Sequence, residues 1–212
     1  MVGGVNPTKR DDPGSTRDTV TRDLLEAGWQ DPLWIETSAA GAGYGATEQA
    51  LAQHVDVVIA CGGDGTVRAV LTVLAGSGVP LAILPAGTGN LLARNLNLPL
   101  DDVAAALEVA LNGADRTLDV GRIEASEPHG RHERFAVMAG VGLDAAIMRD
   151  APEKVKARVG WPAYVMSSMK NLHQPGLRMQ VTIHGGPPLH TLPHTLLIRS
   201  LHPLHDGRAL PT

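Results

Sequence analysis

The sequence Cys-Gly-Gly-Asp-Gly-Thr-Val at residues 61–67 constrains the fold of this chain more than any other stretch. An apolar run at residues 55–60 precedes it, and a run with helical spacing at residues 67–74 follows it. That order predicts a buried strand, a glycine-rich turn and a helix. Such a turn exposes backbone N–H groups at a helix N-terminus, where they can hold a phosphate group.

A second unit of the same design follows. Residues 80–84 are typical of a short buried strand, residues 85–90 form another glycine-rich loop, and residues 91–96 begin a helix. Two strands joined through a helix lie parallel, with a right-handed crossover. Both loops then leave the same carboxyl edge of one sheet, where open α/β sheets bind ligands. Two such loops favour a nucleotide site over a pair of ordinary turns.

The composition of the first loop suits a nucleotide with a metal ion. Glycine at positions 62, 63 and 65 permits positive φ and a close approach of the backbone to a ligand. An acid among phosphate-holding groups would repel the ligand by itself. Asp64 therefore predicts a cation, most simply Mg²⁺, between its carboxylate and the phosphates.

Together the two loops resemble a known family. Residues 62–67 and residues 85–96 are similar to the catalytic domain of the bacterial diacylglycerol kinase family, which also includes sphingosine and ceramide kinases. Residues 5–9, 118–121 and 139–145 match further motifs of that family. NAD kinases and phosphofructokinases share only the Gly-Gly-Asp-Gly part, so the combination of motifs is specific.

The resemblance implies an ATP-dependent lipid kinase. Such an enzyme uses Mg²⁺ and transfers the γ-phosphoryl group to a lipid hydroxyl, most simply that of diacylglycerol, which gives phosphatidic acid. Asp64 would be the metal ligand. Asn6 and Lys9, after the first strand, and Thr37, after the second, are further candidate nucleotide contacts, although an exposed lysine is equally typical of a solvated surface. The residues of the two loops expected to hold ATP are Gly62, Gly63, Asp64, Gly65, Thr66, Val67, Arg68 and Thr88.

Two departures from the family bear on catalysis. Leu91 stands where the family often has an aspartate, so a second acid near the metal is missing. The family's general base lies in a C-terminal acidic stretch that this chain does not match, which leaves Asp144 as the remaining candidate base. From about residue 186, five prolines and four histidines occur without helical or alternating spacing. We therefore expect a truncated or out-of-frame tail that does not complete a β-rich domain.

Two other classes of protein remain open. An NAD kinase shares the first loop, but the Asn-Glu dipeptide expected to hold the NAD ribose is absent from the chain. An inactive nucleotide-binding remnant is the second alternative, because the expected base is missing.

The order of elements predicts an α/β fold with two parts. Residues 1–116 are expected to form a parallel-sheet nucleotide-binding domain, and residues 117–212 an incomplete β-rich domain that diverges from about residue 186. A capping-box pattern at residues 15–18 predicts the start of the first helix, and Asp101-Asp102 predicts the start of a later one.

Charge, cysteine content and hydropathy limit the partners. The formal charge of −4 gives no electrostatic reason to expect nucleic-acid binding. The single cysteine, Cys61, is expected to be a small buried hydrophobe and fits a reducing compartment. No signal peptide or membrane span is predicted. The expected location is therefore the cytoplasm, with the lipid substrate reached at the inner face of the membrane; a homodimer is left open.

Overall fold

The computed structural model of the chain describes residues 2–5, 13–37, 43–123, 132–142, 179–181, 189–191 and 195–199. These residues fall into two compact units. Those up to Val137 form the first unit, and those from Met138 to Arg199 form the second. The sequence-based division at residue 116 stays a prediction about domain organisation.

The first unit is built on a four-stranded parallel sheet. Its strands, in the spatial order β2-β1-β3-β4, are β1 (Val2–Val5), β2 (Leu33–Glu36), β3 (Val58–Gly62) and β4 (Leu81–Pro85). The chain adds β2 on one side of β1 and then β3 on the other. The strand order therefore reverses between β1 and β3, and open α/β sheets bind ligands beyond the carboxyl ends of such strands. The predicted α/β class with a parallel sheet is confirmed.

Five helices accompany this sheet: α1 (Pro13–Glu26), α2 (Tyr44–Ala52), α3 (Asp64–Leu74), α4 (Leu91–Asn95) and α5 (Val103–Asn112). The predicted cap of α5 is confirmed, because the side chain of Asp102 accepts a hydrogen bond of 3.0 Å from the N–H of Ala105. The capping box predicted at residues 15–18 was wrong, since α1 begins earlier, at Pro13. Proline suits a first helical position because its φ is already helical and it has no N–H to satisfy.

Strand β3 divides its side chains between two apolar clusters. Val58 and Ala60 pack with residues of α2, α3 and α4, whereas Ile59 and Cys61 pack with residues of α1 and α5. Successive side chains of a strand point to opposite faces, so helices cover both faces of the sheet. All five residues of β3 are buried, as its unbroken apolar run predicts. Cys61 is buried among apolar neighbours, as predicted.

A short hairpin lies against α3 in the same unit. Its strands, β5 (Gly121–Ile123) and β6 (Glu133–Phe135), pair antiparallel. The backbone N–H of Arg134 donates to Oγ1 of Thr72 on α3 at 3.2 Å. The sequence pattern of residues 116–124 predicts a strand, but residues 116–120 have no strand structure. The hairpin is therefore shorter than the apolar pattern indicated.

The described part of the second unit contains two pairs of strands. Strand β7 (Met138–Gly142) pairs antiparallel with β10 (Thr195–Arg199), and β8 (Met179–Val181) pairs antiparallel with β9 (Leu189–Thr191). The residues after about 186 show no alternating or helical spacing, yet β9 and β10 lie among them; that the tail does not complete the β-rich domain stays a prediction. Their apolar residues do not alternate, so the sequence pattern missed them, and pairing with strands elsewhere in the chain decides their conformation.

The sequence of residues 161–172 is also compatible with a helix, and these residues lie outside the described ranges. Among the helices that the structure describes, none combines the length and the apolar composition needed to cross a bilayer.

Candidate functional site

The two glycine loops touch each other at the carboxyl edge of the sheet. The N–H of Ala86, just after β4, donates to the carbonyl oxygen of Gly62 at 3.0 Å. A Cβ added at Gly87 would lie 2.6 Å from the Cα of Gly63 and 2.9 Å from Oδ1 of Asn90. Real Cβ atoms do not approach a backbone that closely, so the second loop packs backbone to backbone on the first only because residue 87 is glycine.

Asp64 joins the first loop to the start of α4. Its Oδ2 accepts the backbone N–H of Asn90 at 2.9 Å, and its Oδ1 accepts the N–H of Leu91 at 2.6 Å. A carboxylate on the first N–H groups of a helix is a favourable cap. A Cβ at Gly89 would lie 2.5 Å from Oδ2 of Asp64, so a larger residue there would displace this carboxylate from the N–H groups. Asp64 is thus part of the loop architecture.

This geometry corrects the argument that Asp64 requires a cation. Two N–H donors at the start of α4 already compensate its charge, so its presence among the glycines does not by itself demand a metal. A carboxylate has about four lone-pair positions, and two remain for an ion. Within the described part of the chain, no three His, Cys, Asp or Glu side chains cluster in a way that could hold a metal. An ion at this edge would therefore depend on Asp64, water and ligand phosphates, which is the usual arrangement for Mg²⁺.

Asn90 stabilises the second loop from within. It adopts the left-handed conformation, with φ of 50°, and is buried. Its Oδ1 accepts the N–H of Gly87 at 3.0 Å, and its Nδ2 donates to the carbonyl oxygen of Gly87 at 2.7 Å. Nε of Arg94 donates to the carbonyl oxygen of Gly89 at 2.7 Å. These bonds hold the loop in one shape and leave Thr88 exposed at its tip.

The N-terminus of α3 opens at the same edge. Gly63 precedes the helix, and within the described ranges no side chain caps it. The first helical bond runs from the N–H of Val67 to the carbonyl oxygen of Gly63 at 3.0 Å. The N–H groups of residues 64–66 precede that bond and have no intrahelical carbonyl partner. Among the described residues, a Cβ added at Gly65 would meet no atom within 4 Å. The start of α3 therefore presents backbone donors beside open space.

None of the glycines of the first loop, at positions 62, 63 and 65, adopts a positive φ. Among the described glycines, positive φ occurs at Gly28, Gly43, Gly76 and Gly78, and at none of the loop positions. The freedom of glycine to adopt positive φ is therefore not used at these positions. Gly62 is required for another reason, because a Cβ there would lie 2.7 Å from the Cβ of Thr66.

The structure separates the predicted contacts into exposed and buried groups. Asp64, Gly65, Arg68 and Thr88 are exposed at the loops or on the first turns of α3. Gly62, Gly63, Thr66 and Val67 are buried, so these residues can offer a ligand only their backbone. Thr37 is also buried, at the end of β2, and lines a small cavity with Thr47 and Thr66. Asn6, Lys9 and Asp144 lie outside the described residues.

The sequence did not point to two residues beside α3. The carboxylate of Glu133 lies 3.9 Å from Nε of Arg68 and accepts the hydroxyl of Tyr44. No motif marks either residue, because Tyr44 and Glu133 are 89 positions apart in the chain. Asn90 was detectable, since it directly precedes a predicted helix.

Comparison with known proteins identifies the class. The diacylglycerol kinase catalytic domain family matches residues 5–123, which is more than half of the chain. The chain belongs to this family, and the resemblance seen in its motifs is confirmed.

Individual relatives agree with this assignment. The chain is 34% identical to the diacylglycerol kinase of Bacillus subtilis (strain 168) over 161 residues, which is 75% of this chain and 50% of that protein. It is 39% identical to the diacylglycerol kinase of Mycobacterium tuberculosis (strain ATCC 25618 / H37Rv) over 113 residues, which is 53% of this chain and 34% of that protein. The matched part of the chain thus spans 50% of the length of the B. subtilis relative and 34% of the length of the M. tuberculosis relative.

A solved structure shares the fold. The crystal structure of a diacylglycerol kinase from Bacillus anthracis str. Sterne superposes with a TM-score of 0.59 at 24% identity, covering 92% of this chain and 62% of that chain. At this identity, the superposition is evidence for the fold alone.

Proposed function

We propose that this chain is the nucleotide-binding part of a lipid kinase, which transfers the γ-phosphoryl group of ATP to a lipid hydroxyl. Diacylglycerol is the first acceptor to test, since relatives in the family carry that name. The observation that carries the proposal is the start of α3, where no described side chain caps the backbone donors and the space beside Gly65 is open, next to a second, locked glycine loop.

The phosphates would lie at the start of α3. The N–H groups of residues 64–66 and the positive end of the helix dipole attract an anion at that point. Thr88, exposed at the tip of the second loop, would add a hydroxyl and an N–H. Arg68, exposed one turn further along α3, would add a positive charge. Thr66 would contribute only its backbone N–H, because its side chain is buried against Gly62.

The remaining groups of the reaction follow from the family. Mg²⁺, held by Asp64 and the phosphates, would neutralise charge on the transferred group. Asp64 keeps lone pairs for this role while it caps α4. No residue is assigned as the base. We further propose that the protein acts in the cytoplasm at the inner face of the membrane, where its lipid substrate is found.

Gly65→Val tests the site. A valine there fits the open space and should change the free energy of unfolding by less than about 0.5 kcal/mol, since valine and glycine differ little in helix propensity. The added side chain would nevertheless occupy the space through which a phosphate reaches the N–H groups. MgATP affinity, measured by isothermal titration calorimetry, should fall at least about tenfold, because this is the change expected when one hydrogen bond to a charged group is lost.

Gly45→Val is the matched control. Gly45 is also the second residue of a helix, and a Cβ there likewise meets no atom within 4 Å. MgATP affinity should be unchanged in this variant. If Gly65→Val binds MgATP as well as the parent, the loop is a connector and the proposed site is wrong.

An activity assay then separates the classes of function. The chain is incubated with labelled ATP, Mg²⁺ and mixed micelles containing diacylglycerol, with NAD in a parallel reaction. Labelled phosphatidic acid supports the lipid kinase, and labelled NADP supports the alternative kinase. MgATP binding without transfer to either acceptor would indicate a nucleotide-binding remnant.

A further inference from the structure

Glu133 brings a carboxylate to the side of α3 from a distant part of the chain. The hydroxyl of Tyr44, at the first residue of α2, lies 2.7 Å from Oε1 and 2.6 Å from Oε2 of Glu133 and donates to this carboxylate. Nε of Arg68 lies 3.9 Å from Oε2. Tyr44 therefore anchors Glu133, and Glu133 in turn attracts Arg68.

Arg68 is placed to act on a ligand at the start of α3. Residues three and four positions apart share a helix face, so Arg68 lies on the face of Asp64 and Gly65. Helical side chains lean toward the helix N-terminus, which directs the long side chain of Arg68 over the first turn. The side chain is 56% exposed, so it is accessible to a ligand.

We propose that Glu133, anchored by Tyr44, is a positioning residue that orients Arg68 toward the nucleotide phosphates. This inference rests on the proposed function. The carboxylate faces Nε of the guanidinium, which leaves the two terminal Nη groups to donate to phosphate oxygens. A restrained arginine also loses less conformational freedom when it binds a phosphate than a freely rotating one does.

If Glu133 only held the hairpin in place, substitutions of Glu133 and of Thr72 would have the same kind of effect on stability and on MgATP affinity. Glu133 begins β6, and the next residue, Arg134, donates its N–H to Thr72, which lies one turn further along α3 than Arg68. The Glu133–Arg68 and Arg134–Thr72 contacts both hold the hairpin against α3, but only Arg68 lies within one turn of the loops. Thr72 therefore offers a control that loosens the hairpin without involving Arg68.

The test is a double-mutant cycle on the full 212-residue chain, with MgATP as the probe in isothermal titration calorimetry. Glu133→Gln should weaken MgATP binding about two- to fivefold, the range expected for a partly exposed ion pair. Arg68→Gln should weaken it further. The double variant should bind like Arg68→Gln alone, because Glu133 acts only through Arg68.

Two more variants complete the design. Tyr44→Phe keeps the charge of Glu133 but removes its anchor, so it should also weaken binding, and this effect should disappear in the Arg68→Gln background. Thr72→Val should lower the urea midpoint of unfolding and leave MgATP affinity unchanged. If Glu133→Gln does not fold, the Tyr44→Phe cycle decides the question.

The outcomes distinguish this inference from the proposed function. Additive effects of Glu133→Gln and Arg68→Gln, or unchanged affinity in Glu133→Gln, would show that Glu133 only tethers the hairpin and would overturn the inference alone. Failure of the parent chain to bind MgATP would overturn the proposed function, and the inference with it.

Discussion

Replacing Gly87 with alanine should separate the two glycine loops. The new Cβ would lie 2.6 Å from the Cα of Gly63, about 1 Å closer than ordinary contact between carbon atoms. The new Cβ of residue 87 and the Cα of Gly63 are both fixed to the backbone, so the two backbones themselves must move apart. That movement would stretch the bond from the N–H of Ala86 to the carbonyl oxygen of Gly62. The new Cβ, 2.9 Å from Oδ1 of Asn90, would also disturb the pair of bonds between Asn90 and Gly87.

The expected loss of stability follows from these contacts. Overpacking a well-packed site costs about 1–3 kcal/mol. Weakening one buried hydrogen bond adds about 0.5–1.5 kcal/mol. Gly87→Ala should therefore lower the free energy of unfolding by about 1.5–4.5 kcal/mol, the sum of these two terms, and MgATP affinity should fall because the loops no longer face one another.

Urea unfolding followed by tryptophan fluorescence measures this change. Trp29 and Trp34 pack against the apolar cluster between the sheet and helices α1 and α5, so their emission reports on the first unit. The midpoint should fall with an unchanged m value. Gly45→Ala, in open space on α2, should instead raise the stability by about 0.5–1 kcal/mol. If the free energy of unfolding of Gly87→Ala lies within about 0.5 kcal/mol of that of the parent, the contact between the loops is refuted.

Three further substitutions test individual contacts. Asp64→Asn should lower the free energy of unfolding by about 1–3 kcal/mol even without nucleotide, because an amide can accept only one of the two N–H groups at the start of α4; an unchanged urea midpoint would contradict the capping role. Asp102→Ala should cost about 1 kcal/mol through the lost cap of α5, with MgATP affinity unchanged, and a thermal melt followed by circular dichroism checks it. Leu24→Ala should cost about 2–5 kcal/mol, since this side chain is fully buried between α1 and the sheet; a loss below about 1 kcal/mol in urea would show that the core is looser than described.

The strands and helices around the glycine loops were predictable because their signals are local. The apolar run before residue 61 and the helical spacing after it place β3 and α3 correctly, and the same logic places β4 and α4. Asp102 was predictable as a cap because a cap is defined by its nearest neighbours in sequence. Local signals failed at the start of α1, where a proline and a capping box competed, and in β10, whose partner β7 lies more than 50 residues earlier.

The sequence by itself determined the parallel sheet and the two loops at its carboxyl edge, because strand, turn and helix signals depend on neighbouring residues and parallel pairing follows from the crossover. Only the tertiary structure decided what the loops do to each other. Asp64 meets its partners across 26 and 27 residues of chain, and Tyr44 meets Glu133 across 89. Such contacts depend on how the elements pack in three dimensions, and no pattern along the chain encodes that distance.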